Sequence, residues 1–281
     1  VVVRPTEGQS IRASVGTAFR TQTFLESYIN LNNPTPLAGV GVTALGSEPA
    51  ANLLDAPRLK PESILSAEFG YRFAESEYFD AELSAYYNHV TDLVILSQVS
   101  PFTLGDFGAG RGGYDPGTAS YELGTITFSN DPAEFDVVGG EIATRIYPVT
   151  GLDIYANYAF NKTFLTNSQL RSSEERTSRH KFNLGVQYRA PFGLDIGVDF
   201  HWAGAQVWLE QEFDAIEGVR FTEFDLPANY LINARIGTRI ANDRVELGLS
   251  VFNLTNNKIR QHPYAQRLST RVLATVGYHF Q

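Results

Sequence analysis

The sequence predicts an all-β fold: a transmembrane antiparallel up-and-down β-barrel, with about ten strands present in the chain. Three observations predict it. Ten segments alternate apolar and polar residues, the links between them are short and long in strict turn, and aromatic residues are plentiful while charges are sparse. Alternation with period two marks a strand, because successive side chains leave opposite faces. One such strand could equally sit half-buried in a soluble sandwich, so the prediction rests on repetition.

The segments lie near 9–18, 62–73, 78–97, 135–147, 151–163, 179–190, 193–208, 229–240, 243–254 and 269–280. In 65–71 the apolar set is Leu65, Ala67, Phe69 and Tyr71; in 152–160 it is Leu152, Ile154, Ala156, Tyr158 and Phe160. Residues 181–189 set Phe182, Leu184, Val186 and Tyr188 against Lys181, Asn183, Gly185, Gln187 and Arg189. Residues 194–202 set Leu194, Ile196, Val198, Phe200 and Trp202 against Asp195, Gly197, Asp199 and His201. The last segment carries Val272, Ala274, Val276, Tyr278 and Phe280 on one face and Arg271, Leu273, Thr275, Gly277 and His279 on the other.

Links at 74–77, 148–150, 191–192 and 241–242 are short and rich in turn formers, whereas those at 19–61, 98–134, 164–178, 209–228 and 255–268 are long. In an outer-membrane barrel the short turns face the periplasm and the long loops face outside. That parity expects both ends of this chain on the periplasmic side.

Apolar residues make up 43% and charged residues 19%, the latter below the roughly 25% of soluble domains. No run nears the 18 apolar residues of a membrane-crossing helix. Cysteine is absent, which excludes disulfides and thiolate chemistry. The net charge of −9, with no basic run, speaks against nucleic acid as a partner. The chain has no Met and opens Val1-Val2-Val3-Arg4-Pro5, so it is expected to be processed or part of something longer.

Gly108-Ala109-Gly110-Arg111-Gly112-Gly113 matches G-x-G-x-x-G, but Tyr114-Asp115-Pro116-Gly117 follows where a helix should start, so a flexible loop is expected. Asp195, Asp199 and His201 share a face, yet the two Asp stand roughly 13 Å apart along a strand, too far for one ion. No metal, cofactor or catalytic set is assigned. By parity the lumen face carries Arg12, Arg72, Arg145, Lys181, Arg189, Arg235, Arg239 and Arg271 against Glu68, Asp80, Glu82, Glu141, Asp153, Asp195, Asp199 and Glu246. Eight of each sign give no selectivity. The acidic stretch Glu210, Glu212, Asp214, Glu217, Glu223 and Asp225 reads as a solvated loop or a cation-attracting one. Phe102, Phe107, Tyr114 and Tyr121, set among glycines, are the candidates for ligand contact.

Several short stretches carry a family resemblance. These are Ala18-Phe19-Arg20 with Phe24 and Tyr28, Leu59-Lys60-Pro61-Glu62 followed by Glu68-Phe69-Gly70-Tyr71-Arg72, Asn253-Leu254-Thr255-Asn256, and the terminal Tyr278-His279-Phe280. In that order and spacing they resemble the C-terminal barrel half of TonB-dependent outer-membrane receptors. The resemblance implies that residues 1–281 belong to a barrel of about 22 strands. It implies a plug domain and upstream strands outside this chain, and a bacterial outer-membrane location. It implies import of a scarce ligand (a siderophore–iron complex, cobalamin or a saccharide) driven by TonB through the plug. Lumen charges such as Arg72, Glu141, Arg145, Arg189, Asp195, Asp199, Arg235 and Arg239 would hold that plug. Val272, Ala274, Val276, Tyr278 and Phe280 would form the signal read by the barrel-assembly machinery, although Gln281 follows the aromatic end here. Membrane lipid and lipopolysaccharide are the remaining implied partners. Two alternatives stay open, a structural barrel component of an outer-membrane assembly and an enzyme on a small ten-stranded barrel.

Overall fold

A computed structural model of the protein describes residues 1–34, 39–97, 99–166, 176–214, 218–242 and 244–280. From the start come β1 (Val2–Val3), β2 (Gln9–Arg20), α1 (Phe24–Tyr28), β3 (Asn30–Pro34), β4 (Val40–Leu45), α2 (Ser47–Leu54), β5 (Glu62–Phe73) and β6 (Phe79–Thr91). The second link holds β7 (Val94–Leu96), β8 (Ser100–Pro101), α3 (Leu104–Gly108), β9 (Gly113–Asp115) and β10 (Ser120–Asn130). Then follow β11 (Glu134–Val149), β12 (Leu152–Thr166), β13 (His180–Arg189), β14 (Leu194–Ala203), β15 (Gln206–Asp214), β16 (Gly218–Leu226), β17 (Asn229–Ile240), β18 (Val245–Phe252) and β19 (Arg271–Tyr278).

The wall is an 11-stranded sheet in the order β1-β2-β5-β6-β11-β12-β13-β14-β17-β18-β19, antiparallel throughout. All ten predicted segments lie in it, joined by the two-residue β1. Among the described residues its edge strands do not pair with each other, so it forms an open arc rather than a closed barrel. Two predicted segments are shorter than their alternation suggests. The 78–97 stretch breaks at Asp92, whose φ of 56° turns the chain out of the wall and into β7. The 193–208 stretch ends at Ala203; Gly204 then gives its N–H to His180 O, and β15 leaves with its own partner β16.

Register fixes the faces. Ile11, Tyr71, Leu83, Ile142, Tyr158, Phe182, Trp202 and Tyr230 are successive partners in one row across the wall, and all lie on the apolar face. Large apolar side chains on this face stay open: Val15 is 77% exposed and Val276 78%. A water-soluble domain does not spread apolar area over a whole sheet. A lipid-facing wall does.

The opposite face gathers all sixteen charges assigned to it from sequence, because each alternates with the apolar set in the observed pairing. Glycines there are spaces into which neighbours lean. The Arg12 side chain crosses Gly70, its partner in register, and its Nη2 lies 3.0 Å from Glu82 on the strand beyond. The Tyr155 ring lies over Gly185, with its hydroxyl donating to Asp199. A Cβ at position 185 would collide with that ring. Gly185→Val should therefore push Tyr155 off Asp199 and cost about 1–3 kcal/mol, read as a lower urea midpoint. An unchanged midpoint would show that the ring moves freely.

Among the described residues, most of the buried apolar side chains lie in the links rather than along the wall, where Phe135 and Ala203 are buried. Links β2–β5 and β6–β11 combine into one six-stranded sheet, β3-β4-β10-β7 with β8 and β9 on β10, in which β4 and β10 run parallel. Val42 and Ile126 are its buried centre, with Leu96 and Val99 against them. Leu45 and Ala50 are also buried, at 2% and 1% exposed. These links, predicted as plain loops, form a folded cap on the long-loop end. The link between β14 and β17 is likewise structured, as the hairpin β15–β16.

Candidate functional site

The cap is fixed to the wall at the Leu59–Glu62 stretch. Arg20 donates to Glu62 through Nε (2.5 Å) and Nη2 (2.7 Å), and to Glu26 of α1 through Nη1 and Nη2, both at 3.1 Å. Glu62 also accepts the Val94 N–H at 2.9 Å, which brings β7 to the same point. Beside it, Asn130 accepts the Lys60 N–H at 2.8 Å and donates to the carbonyls of Lys60 (3.0 Å) and Asp92 (2.6 Å). Both loops of the cap are thus held by side chains that read backbone groups.

The four aromatic candidates form two pairs on this cap. Phe102 and Phe107 meet edge to face, with ring centroids 5.9 Å apart. Tyr114 and Tyr121 are cross-strand partners on β9 and β10, with rings 5.2 Å apart, each 57% exposed. The Gly-rich stretch between the pairs is built, not loose, which corrects the flexible-loop expectation. α3 ends at Gly108, Arg111 reaches Asp106 at 2.6 Å and the Leu53 carbonyl at 3.1 Å, and Gly112 (φ 77°) lets the rings of Phe102 and Phe107 close over it.

Hydrogen bonds from the Thr103 side chain and backbone, with Arg111 nearby, hold the Asp106 carboxyl below its ordinary value. Asn32, the Gly117 N–H and Thr118 do the same for Asp115 in the turn before β10. A depressed folded value means stability that is complete above the ordinary carboxyl value of 3.8 and lost as pH falls through the folded one. Amide exchange in residues 103–120 should accelerate below about pH 4 while the wall strands hold. Equal response of cap and wall would refute this.

A second feature was not found from sequence. At the same end a cleft of about 250 Å³ is lined by Val90, Leu93, Phe135, Val137, Arg176 and Arg179, among others. Val90, Phe135 and Val137 lie on the charged face, so the cleft opens inward. Arg176 also lies over the Trp208 ring at 5.7 Å. Trp208 in turn meets His262 of the last long link at 4.6 Å, and His262 pairs with Glu210 at 3.7 Å. The acidic stretch is therefore partly a hairpin packed on that link. Glu217 lies outside the described residues, as do the side chains of Glu212 and Asp214.

On the wall, Arg189 pairs with Asp153 at 2.6 Å, and Glu246 is approached by Arg235 (3.9 Å), Arg239 (4.0 Å) and His279 (3.7 Å). Gln187 reaches Asp195 at 3.4 Å, and His201 bonds Asn183. Arg72 and Arg145 line one shallow hollow with Asp80 and Glu82. Glu141 shares the face but stands apart from that hollow. Val272, Ala274 and Val276 stay open on the lipid side of β19, where the rings of Tyr278 and Phe280 meet at 4.7 Å.

An antiparallel wall with an apolar outer face, a charged inner face and all long links at one end defines an outer-membrane β-barrel. The chain belongs to the TonB dependent receptor-like β-barrel family, whose model matches residues 1–254. Among solved structures it is similar to the siderophore receptor PirA from Acinetobacter baumannii (14% identity, TM-score 0.69), covering 99% of this chain and 40% of that one. The FrpB iron transporter from Neisseria meningitidis gives 14% identity and a TM-score of 0.61 over 99% of this chain and 37% of its own. The ferripyoverdine receptor of Pseudomonas aeruginosa gives 12% and 0.64 over 99% and 32%. The chain thus spans between about a third and two fifths of the length of these proteins. No curated protein matches in sequence. The family and these neighbours are bacterial outer-membrane receptors.

Proposed function

We propose that residues 1–281 form the C-terminal part of the barrel of an outer-membrane receptor that imports a scarce ligand. A plug domain supplied upstream would block the lumen, and TonB would act on it. The observation that carries this reading is the extracellular end itself. Two long links fold into a cap that displays paired aromatic rings, beside an inward-opening cleft with arginines over an apolar floor. Aromatic and guanidinium groups on a rigid support suit an anionic, partly apolar solute such as an iron chelate. The siderophore receptor and the iron transporter among the neighbours favour that choice among cobalamin, saccharide and siderophore.

In this reading Tyr114, Tyr121, Phe102 and Phe107 contact ligand at capture. The lumen charges, Arg72, Glu141, Arg145, Arg189, Asp195, Asp199, Arg235 and Arg239, face the plug. Val272, Ala274, Val276, Tyr278 and Phe280 serve the barrel-assembly machinery.

The test is uptake of radiolabelled iron from a panel of ferric siderophores by a strain lacking the receptor, with and without the full-length gene, in TonB-proficient and TonB-deficient backgrounds. TonB-dependent uptake restored for one chelate is the expected result; failure with every chelate, or uptake indifferent to TonB, would overturn the reading. With that chelate in hand, Tyr114→Ala combined with Tyr121→Ala should weaken binding about tenfold or more at unchanged surface expression.

A further inference from the structure

A further cavity at the long-loop end has no part in the site above. It measures about 280 Å³ and lies between the start of β17 and the link from β18 to β19, with Asp225, Asn229, Lys258, Arg260 and Arg267 in its lining. Leu226 and Ile259, both buried, supply its apolar part. Asn229 stands in the inward row of β17 with Asn233 and Arg235, which sets this side of the cavity toward the lumen and away from lipid. In the wall, four strand spacings of about 4.8 Å separate β17 from β11, where the cap ends.

The link is folded so that its cations come together. Asn253 closes the turn onto Asn257, the Ile259 N–H bonds the Asn257 carbonyl at 3.0 Å, and the Leu268 N–H bonds the Ile259 carbonyl at 2.9 Å. That last bond lays the returning arm on the outgoing one and puts Arg260 and Arg267 beside the same backbone pair. Lys258 Nζ donates to Ser269 Oγ at 2.9 Å, and Arg260 Nη1 to the Pro263 carbonyl at 3.2 Å. Among the described residues none of the three cations makes an ion pair. Against their three positive charges the lining sets one negative, Asp225.

We propose that this cavity binds a small soluble phosphate monoester, with Lys258, Arg260 and Arg267 on the phosphate and the carbon body against Leu226 and Ile259. A phosphate monoester carries close to two negative charges at neutral pH, which matches the excess that the lining leaves. Guanidinium forks and an ammonium are the side chains that suit such a head. All three come from the paired arms of one link, which favours a compact dianion over two carboxylates held apart. The site is separate from the ligand cap, and the assignment stands whichever chelate the receptor imports.

Calorimetric titration of the purified full-length receptor with glycerol phosphate, succinate and glycerol at low salt tests this. Wild type should bind glycerol phosphate with a Kd below about 1 mM, succinate about tenfold more weakly, and glycerol not at all. Arg260→Gln combined with Arg267→Gln should weaken glycerol phosphate about tenfold or more. Asp225→Asn should tighten it about threefold, because a like charge leaves the lining. Glycerol phosphate bound no better than succinate, an unchanged Kd in the double variant, or no tightening in Asp225→Asn would overturn the proposal. So would displacement of the probe by a phosphorylated glycolipid at lower concentration, which would give the site to the membrane. The heat-resistant gel band checks that each variant is folded.

Discussion

Replacing Arg20 by Ala is expected to release the cap from the wall without unfolding the wall. Arg20 serves two carboxylates at once, and each has a second backbone donor: Val94 N–H for Glu62, and Thr23 N–H at 2.6 Å for Glu26. The side chains of Glu62 and Glu26 are only 16% and 15% exposed, so removing the guanidinium leaves two half-hidden charges facing each other. Arg20 itself is 43% exposed, which puts solvent screening into the balance and keeps the loss below that of a fully buried pair. A loss of about 1–3 kcal/mol, felt locally, follows. Amide exchange in residues 23–32 and 94–96 should then run roughly tenfold to a hundredfold faster, with β12 to β14 unchanged. Ligand capture should weaken with it, because the cap carries Tyr114 and Tyr121. Arg20→Lys should not rescue, since one ammonium cannot serve two carboxylates with paired bonds. Uniform acceleration across the wall, or none in the cap, would count against the clamp.

The Arg20 site also shows what could be read from the chain. Ala18-Phe19-Arg20 and Leu59-Lys60-Pro61-Glu62 stand out as family-like stretches, and the structure gives them a shared physical reason as the place where cap meets wall. The ten wall strands were legible because lipid on one side and water on the other impose a period of two on every residue. The cap was not. Its sheet pairs β4 with β10, Val40 opposite Tyr121, across eighty residues of sequence. Its strands are short, and partners that distant leave no local period.

Aromatic content among glycines marks Phe102, Phe107, Tyr114 and Tyr121 as ligand candidates but does not mark the cleft beside them. Arg176 and Arg179 meet Phe135 and Val137 only through the pairing of β11 with β12 and the path of the chain into β13. Arg179 opens the predicted 179–190 strand. Its alternation read as strand, with nothing to mark its first residue as part of a cleft.

The largest stability loss is expected at Asn253, in the turn after β18. The residue is 3% exposed, with φ of 54°, and its side chain closes a ring on Asn257, donating to the carbonyl and accepting the N–H, both at 2.9 Å. Its own N–H bonds Asn233 Oδ1 at 3.0 Å, and its carbonyl accepts from the Thr270 hydroxyl at 2.8 Å. Asn257 in turn donates to the Tyr230 carbonyl at 3.0 Å. The turn that this side chain closes therefore ties together β17, the exit of β18 and the approach to β19.

Asn253→Ala would strip partners from a backbone N–H and carbonyl of Asn257, at about 1–3 kcal/mol. It would also hold alanine in a left-handed conformation, at about 1–2 kcal/mol more. A total of about 2–5 kcal/mol should appear as a lower urea midpoint and an earlier loss of the heat-resistant gel band. Asn253→Gly separates the two causes: it tolerates the backbone angle and should recover only the conformational part. Equal losses for the two variants would assign the whole effect to the side chain. A loss under about 0.5 kcal/mol in Asn253→Ala, within the range of ordinary surface changes, would mean that the last hairpin is held by its strand pairing alone.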